Sequence, residues 1–495
     1  MLLDPTTCHR ALQARDARFD GVFFVGVKTT GVYCRPICPA RVPGFARCEF
    51  YRRAAEAEKA GFRACFRCRP ELAPSAGVVT GSLASVDAVE HLVRAAASRI
   101  DAGYLNQASV DDLAAELGVT ARHLRRCMES RLGVTPIELA QTRRLLLAKQ
   151  LLHETELGLT QIALASGFAS VRRFNALFQQ RFGKPPSALR RARATAPARS
   201  DHEFVSLRLD YRPPFDWRTL LGFFAQRCVR GVEHVSDGEY RRSARVGQHF
   251  GFLAVRADPK RNALRASVSL SLVPELPTVV ARLRALFDLD AHPLTIAEQL
   301  GQDPLLAPLV AARPGLRVPG AFDGFEVALR AIVGQQVSVA AATTLCGRLV
   351  HEFGVAEASA WDAHIGYTFP SAARLAEASV EQVAALGMPK ARAVTIIELS
   401  RAVATGALRL VADERPADVI ERLQALPGIG PWTAHYVALR ALRWPNAFPA
   451  ADLGVLKALG VSSAKAAEQR AEAWQPWRAY AVLHLWTSTP TKAEP

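Results

Sequence analysis

Long uninterrupted apolar runs are missing from this chain of 495 residues, and so is a basic stretch leading into an apolar one at its start, Met1-Leu2-Leu3-Asp4-Pro5. A spanning helix needs the first feature and a secretory leader the second, so a cytoplasmic protein is expected. The most apolar stretch, residues 327–350, is interrupted by Arg330, Gln335, Gln336 and Arg348 and reads as a buried helix of a soluble domain. Negative charge is short as well: 46 Asp plus Glu stand against 62 Lys plus Arg, a net +16. Such a surface suits a polyanionic partner; charge alone does not separate nucleic acid from an anionic membrane, and the broken apolar run disfavours the membrane. The nine cysteines do not pair off evenly, and with no export signal they point to reduced thiols or metal ahead of disulfides.

What is present divides into segments. The length suits three or four domains, and small, Pro-containing or basic stretches at residues 73–82 and 190–200 read as linkers. Near the start, Cys34-x3-Cys38 and Cys65-x2-Cys68 are spaced so that each pair can clamp one edge of a tetrahedral zinc, with thiolates as soft ligands. Spacing alone favours a purely structural metal. Cys8, Cys48, Cys127, Cys228 and Cys346 read as buried small hydrophobes. The words around the pairs, Thr29-Thr30-Gly31-Val32-Tyr33-Cys34-Arg35-Pro36-Ile37-Cys38-Pro39-Ala40-Arg41 and Ala60-Gly61-Phe62-Arg63-Ala64-Cys65-Phe66-Arg67-Cys68, closely resemble the Ada-type methylphosphotriester receptor domain. Cys48 lies outside that family's pattern. The resemblance implies that Cys34 is both ligand and nucleophile, the metal keeping its sulfur anionic for attack on a methyl carbon. Four thiolates on Zn²⁺ carry about −2, and methylating one leaves about −1, so transfer should raise affinity for DNA.

Residues 109–124 and 159–174 are two similar units: a short amphipathic helix, a glycine turn, a Ser or Thr able to cap, and a second helix carrying arginines. Joined by a helix near 137–152 and followed by Arg181-Phe182-Gly183-Lys184-Pro185-Pro186-Ser187, they resemble the AraC-type regulator domain. Arg122 and Arg125 on the first unit and Arg172, Arg173 and Asn175 on the second are the candidate DNA contacts, although a single exposed arginine more often just solvates a helix face. RNA polymerase is a further candidate partner.

In the C-terminal half, residues 204–209 and 264–270 alternate like strands, and helical periodicity dominates from about Pro277. Leu426-Pro427-Gly428-Ile429-Gly430-Pro431-Trp432-Thr433 suits a tight inter-helix hairpin in which Gly428 and Gly430 reach φ > 0 and leave N–H groups uncovered for a phosphate. Asp452 follows at a distance that one helix can bridge; capping the next helix is its plainer role. Hairpin, spaced Asp and the tail Trp474-Gln475-Pro476-Trp477-Arg478-Ala479-Tyr480 through Trp486 together resemble the AlkA-like 3-methyladenine glycosylases of the helix-hairpin-helix superfamily. The resemblance implies Asp452 as catalytic carboxylate and Trp432, Tyr436 and Trp486 as walls for an extruded base, although single aromatics more often pack a core. Trp432 stands where related lyases carry a lysine, which implies base removal without strand cleavage. The Pro-Cys-His-Arg nucleophile of full-length Ada proteins has no counterpart after residue 200.

The expected fold is therefore multidomain and mainly α. It comprises a small four-cysteine zinc α+β domain (1–75), an AraC-type double helix-turn-helix (84–192), a small α+β subdomain (203–275) and an all-α helix-hairpin-helix glycosylase domain (277–490). The expected function is alkylation repair joined to transcriptional regulation on double-stranded DNA, both damaged and promoter, with zinc as cofactor. The rivals are a DNA-binding regulator with an inactive glycosylase fold and a redox sensor built on the four sulfurs.

Overall fold

The computed structural model describes residues 4–75, 88–191, 203–357 and 361–488. Most of both expected linkers falls outside these residues. The N-terminal unit is a four-stranded sheet ordered β3-β1-β2-β4, with β1 Phe24–Val27, β2 Val32–Cys34, β3 Cys48–Tyr51 and β4 Arg63–Ala64. β2 and β4 run parallel with Tyr33 opposite Ala64, so Cys34, the last residue of β2, and Cys65, just past β4, stand at neighbouring strand ends.

Two helix pairs follow. Val110–Glu116 and Ala121–Leu132 form the first, Leu159–Ala165 and Val171–Phe182 the second, and the connecting helix Pro136–Glu154 joins them. Ser109, Thr120, Thr135 and Ser170 each cap the helix they precede, satisfying otherwise orphaned N–H groups. The expected two-unit arrangement is present, and Arg122, Arg125, Arg172, Arg173 and Asn175 are all exposed on the second helix of their pair.

The C-terminal half opens with a five-stranded antiparallel sheet ordered β5-β9-β8-β7-β6, made of β5 Phe204–Asp210, β6 Glu233–Ser236, β7 Glu239–Val246, β8 His249–Ala257 and β9 Ala263–Ser269. The two strands legible in the sequence are β5 and β9, which pair with each other, Val205 opposite Val268. Helices dominate from Leu276–Leu286 onward. The stretch 327–350 is not one helix. Gly324–Val333 ends at Gly334, and Val339–Phe353 begins under a Ser338 cap, because Gln336 takes a left-handed φ of 56° between them. Among the described residues no helix is long and apolar enough to cross a membrane.

Apolar packing ignores the sequence segments. One buried cluster runs from Phe24, Tyr33 and Phe62 of the first sheet through Phe174, Phe178 and Phe182 of the second helix pair to Val205, Leu253 and Val268 of the five-stranded sheet. A second cluster holds the helical domain and takes in Trp474, 1% exposed, and Trp477. Those two tail tryptophans are therefore core residues, and Trp474 Nε1 donates to Asp303 at 2.8 Å.

Candidate functional site

The hairpin lies between the helices Pro416–Gln424 and Pro431–Arg440. Ile429 is buried, whereas Gly428 and Gly430 are exposed. Only Gly428 has positive φ (79°), and a Cβ there would also run into Thr395 Oγ1. Gly430 departs from the expectation: its backbone is extended (φ −88°, ψ 176°) and a Cβ would touch nothing within 4 Å. Its lack of a side chain instead leaves the start of helix Pro431–Arg440 open from outside, and that start has no side-chain cap. Gln335 Nε2 fixes the turn from the other side, donating to Gly428 O and Thr433 Oγ1 at 3.0 Å each.

Asp452 is the N-cap of helix Leu453–Leu459, with Val455 N donating to Oδ1 at 3.0 Å. The capping role is thus real, but it uses only part of the carboxylate. Trp432 Nε1 donates to Oδ2 and Trp486 Nε1 to Oδ1, each at 2.9 Å. Three donors therefore fix both oxygens of a half-buried carboxylate at the wall of a cavity of about 730 Å³. The space beside it depends on Gly454, where a Cβ would come within 3.1 Å of Asp452 Oδ1 and 3.3 Å of Trp486 Cδ1.

Trp432, Tyr436 and Trp486 form a continuous wall of that cavity, with ring centroids 5.4 Å and 6.2 Å apart in succession. Residues that sequence reasoning did not single out complete it: Phe223 and Arg227 at and just beyond the end of helix Trp217–Ala225, and Arg440 at the end of the hairpin helix. Arg227 covers the Phe223 ring at 4.0 Å, and Arg440 donates to Tyr436 OH at 2.8 Å. Burial pushes the Tyr436 phenol up, but the Arg440 and Arg227 cations and that hydrogen bond outweigh it and hold the phenol below its usual value. Some ring faces are thus already partnered by the protein's own cations. No periodicity marks Phe223 and Arg227, which are more than 200 positions from Asp452, so only folding reveals them. Val337 and Val339, exposed at the cavity, form an apolar rim.

The four sulfurs of Cys34, Cys38, Cys65 and Cys68 lie within 4.8 Å of one another in the N-terminal unit. Arg35 N donates to Cys68 Sγ at 3.3 Å and Arg67 N to Cys65 Sγ at 3.4 Å. Backbone donors of this kind stabilise thiolates, and a compact all-thiolate set suits a soft tetrahedral ion such as zinc. Cys34 is half-buried and the other three are buried. Cys48, the fifth nearby cysteine, sits in a separate cluster with Cys8, Phe23 and Val25.

Known proteins match along the whole length. The pattern for the "metal binding domain of Ada" matches residues 7–71, that for a "helix-turn-helix domain" 113–192, the "AlkA N-terminal domain" 206–323, and the "HhH-GPD superfamily base excision DNA repair protein" 329–479. A Mycobacterium tuberculosis protein named "Probable bifunctional transcriptional activator/DNA repair enzyme AlkA" is 41% identical over 490 residues, covering 97% of this chain and 96% of the relative. The Escherichia coli "DNA-3-methyladenine glycosylase 2" is 38% identical over 279 residues, 56% of this chain and 95% of its own. The solved 3-methyladenine DNA-glycosylase of Archaeoglobus fulgidus shares the fold of the C-terminal half, with a TM-score of 0.50 and 23% identity over 56% of this chain and 96% of that one. With its metal-binding unit, paired helix-turn-helices and helix-hairpin-helix repair domain in one continuous match, the chain belongs to the family of bifunctional transcriptional activator/DNA repair enzymes that join Ada-type and AlkA-type parts.

Proposed function

We propose that this protein excises alkylated bases from double-stranded DNA as a monofunctional DNA-3-methyladenine glycosylase, and that it accepts methyl groups from DNA methylphosphotriesters on a zinc-bound Cys34 to regulate transcription. The observation that carries the first activity is the Asp452 carboxylate, held by Trp432 and Trp486 at the wall of a cavity roomy enough to admit a nucleobase, beside an exposed hairpin. In this reading Gly428 and Gly430 seat a backbone phosphate, the damaged nucleotide swings into the cavity, and its base lies against Trp432, Tyr436 and Trp486. A ring-alkylated purine leaves without strong acid assistance. The sugar then becomes electron-poor, and a fixed carboxylate stabilises it and orients the attacking water. No lysine lines the cavity among the described residues, which supports hydrolysis without a Schiff base.

For the second activity, Cys34, Cys38, Cys65 and Cys68 are the residues that would hold a zinc ion, which would keep their sulfurs as thiolates near neutral pH. A Cys34 lone pair forms the S–CH3 bond while the methyl C–O bond breaks, and the departing phosphodiester regains its negative charge. Arg122, Arg125, Arg172, Arg173 and Asn175 then read promoter DNA, with RNA polymerase as the partner in activation. The working division is 1–75, 84–192, 203–275 and 277–490.

The test is release of methylated bases by wild type and Asp452→Asn. Wild-type release with a loss of about a hundredfold or more in the variant is expected. No release by wild type would favour a regulator that keeps the glycosylase fold only for DNA affinity, and a nicked product would contradict the monofunctional reading.

A further inference from the structure

Arg35 follows Cys34 directly, yet it is 2% exposed and its side chain bridges the metal-binding unit and the C-terminal half. Its guanidinium pairs with Asp20, Nε donating to Oδ1 at 2.8 Å, and Nη1 reaches Asp210 Oδ2 at 2.9 Å and Cys68 O at 3.2 Å. Asp210 closes strand β5 of the C-terminal half, 175 positions away, and Arg208 Nε holds its other oxygen at 2.8 Å. On the other side of Cys34, Tyr33 is fully buried and donates to Glu58 at 3.0 Å. The cysteine is thus suspended between two anchored neighbours.

The clamp decides where a backbone proton goes. With its side chain tied at three acceptors, Arg35 presents its own N–H to Cys68 Sγ. Arg67 N supplies Cys65. Among the described residues no backbone N–H is bonded to Cys34 Sγ. An N–H donor withdraws charge from a thiolate and lowers its nucleophilicity, so a sulfur without one, as Cys34 Sγ is, is more reactive than Cys65 and Cys68. It is also the only one of the four that is not buried.

We propose that Asp210, a residue of the glycosylase half, is a positioning residue of the Cys34 centre. By holding the Arg35 guanidinium it keeps the Cys34–Arg35 peptide turned so that Cys68 receives the hydrogen bond and Cys34 stays free to react. The metal-binding unit alone lacks this group, so the selectivity of its sulfurs depends on the C-terminal half of the same chain. Losing Asp210 leaves a buried guanidinium one carboxylate short, and the strain falls on the peptide that carries the N–H. The proposal rests on the reading of Cys34 as methyl acceptor.

The test uses the zinc-loaded full-length chain as wild type, Asp210→Asn and Asp210→Glu. Methyl iodide is added, and the rate and position of methylation are followed by peptide mass spectrometry; a cobalt-substituted sample of each gives the sulfur-to-metal absorption band. Wild type is expected to gain one methyl, on Cys34. Asp210→Asn should react about tenfold more slowly there, spread methyl onto the other sulfurs and shift the band, while Asp210→Glu recovers most of the selectivity. Base release and melting temperature are read on the same samples. Unchanged rate, position and band in Asp210→Asn would overturn the proposal, as would a loss that merely tracks a fall in base release and melting temperature. A separate incubation with methylphosphotriester DNA addresses the underlying reading: if wild-type Cys34 takes no methyl from DNA, that reading fails, while the iodide and cobalt results still decide the role of Asp210.

Discussion

At the scale of single residues, Asp452 shows how one carboxylate serves as helix cap and site wall together. Its oxygens accept three hydrogen bonds, two of them from indoles that a sequence reading would use only as stacking surfaces. Trp486→Phe keeps a ring in the cavity and removes one donor to a charged acceptor. Base release is expected to fall about tenfold, matching the roughly 1.5 kcal/mol of a charge-assisted hydrogen bond, mainly in kcat; steady-state kinetics on a methylated duplex checks it. A fall confined to KM would mean that the ring face, and not the N–H, carries the role. The sequence singled out Trp432 from the hairpin motif, Asp452 from its spacing after that motif, and Trp486 from the tryptophan-rich tail. It could not show that the indoles face the carboxylate, since that depends on how the last helix, Arg478–Ser488, packs on Leu453–Leu459.

At the scale of elements, the hairpin and the last helix make separate demands. Gly428→Ala would force a non-glycine residue to φ 79° and drive a Cβ into Thr395. A stability loss of about 2 kcal/mol is expected by urea titration, with weaker binding to any duplex regardless of its bases, because phosphate contacts carry no sequence information. Gly430→Ala meets neither obstacle, so its stability should stay within about 0.5 kcal/mol of wild type. His484, buried in the last helix beside Arg313, has its pKa pushed down to about 4 by burial first and by the Arg313 cation second. The unfolded chain therefore binds the extra proton between about pH 6.5 and pH 4, and the folded form loses stability as pH falls through that window. His484→Leu should flatten this part of the stability curve, by up to about 3 kcal/mol at the acid end, in urea titrations at successive pH values. The sequence showed helical periodicity from about Pro277 onward and a tryptophan-rich tail from Trp474 to Trp486. That Trp474 and Trp477 belong to the core while Trp486 lines the cavity is a matter of which face each helix turns inward.

At the scale of the whole molecule, the units are welded and not strung. Glu58 of the metal-binding unit accepts from Tyr33 at 3.0 Å, from Thr142 of the connecting helix at 2.6 Å and from Arg181 of the second helix pair at 2.6 Å. Lys149, with no exposed surface, joins Glu71 at 2.7 Å and Cys65 O at 3.0 Å. Glu58→Ala removes three partners at once and leaves Arg181 without its carboxylate, so a destabilisation of about 3 kcal/mol is expected. Because one apolar cluster spans these units, calorimetry should show the metal-binding unit and the second helix pair melting together at a lower temperature; two independent transitions would refute the shared core.

The amino-acid order alone laid out the motifs from which the reading starts: paired cysteines at metal-ligand spacing, two helix pairs with capping residues and arginines, and a Pro-Gly-Ile-Gly hairpin followed by an Asp. These are local, because spacing along a strand or helix already fixes which side chains share a face. Tertiary structure alone decided that Trp432 and Trp486 aim their N–H groups at Asp452, that Arg227 and Phe223 close the cavity, and that Arg35 reaches Asp210. Those contacts join residues from 20 to more than 200 positions apart, and no local preference of the backbone specifies them. They arise only when burial of a shared apolar core brings the segments together and leaves each buried charge to find its partner.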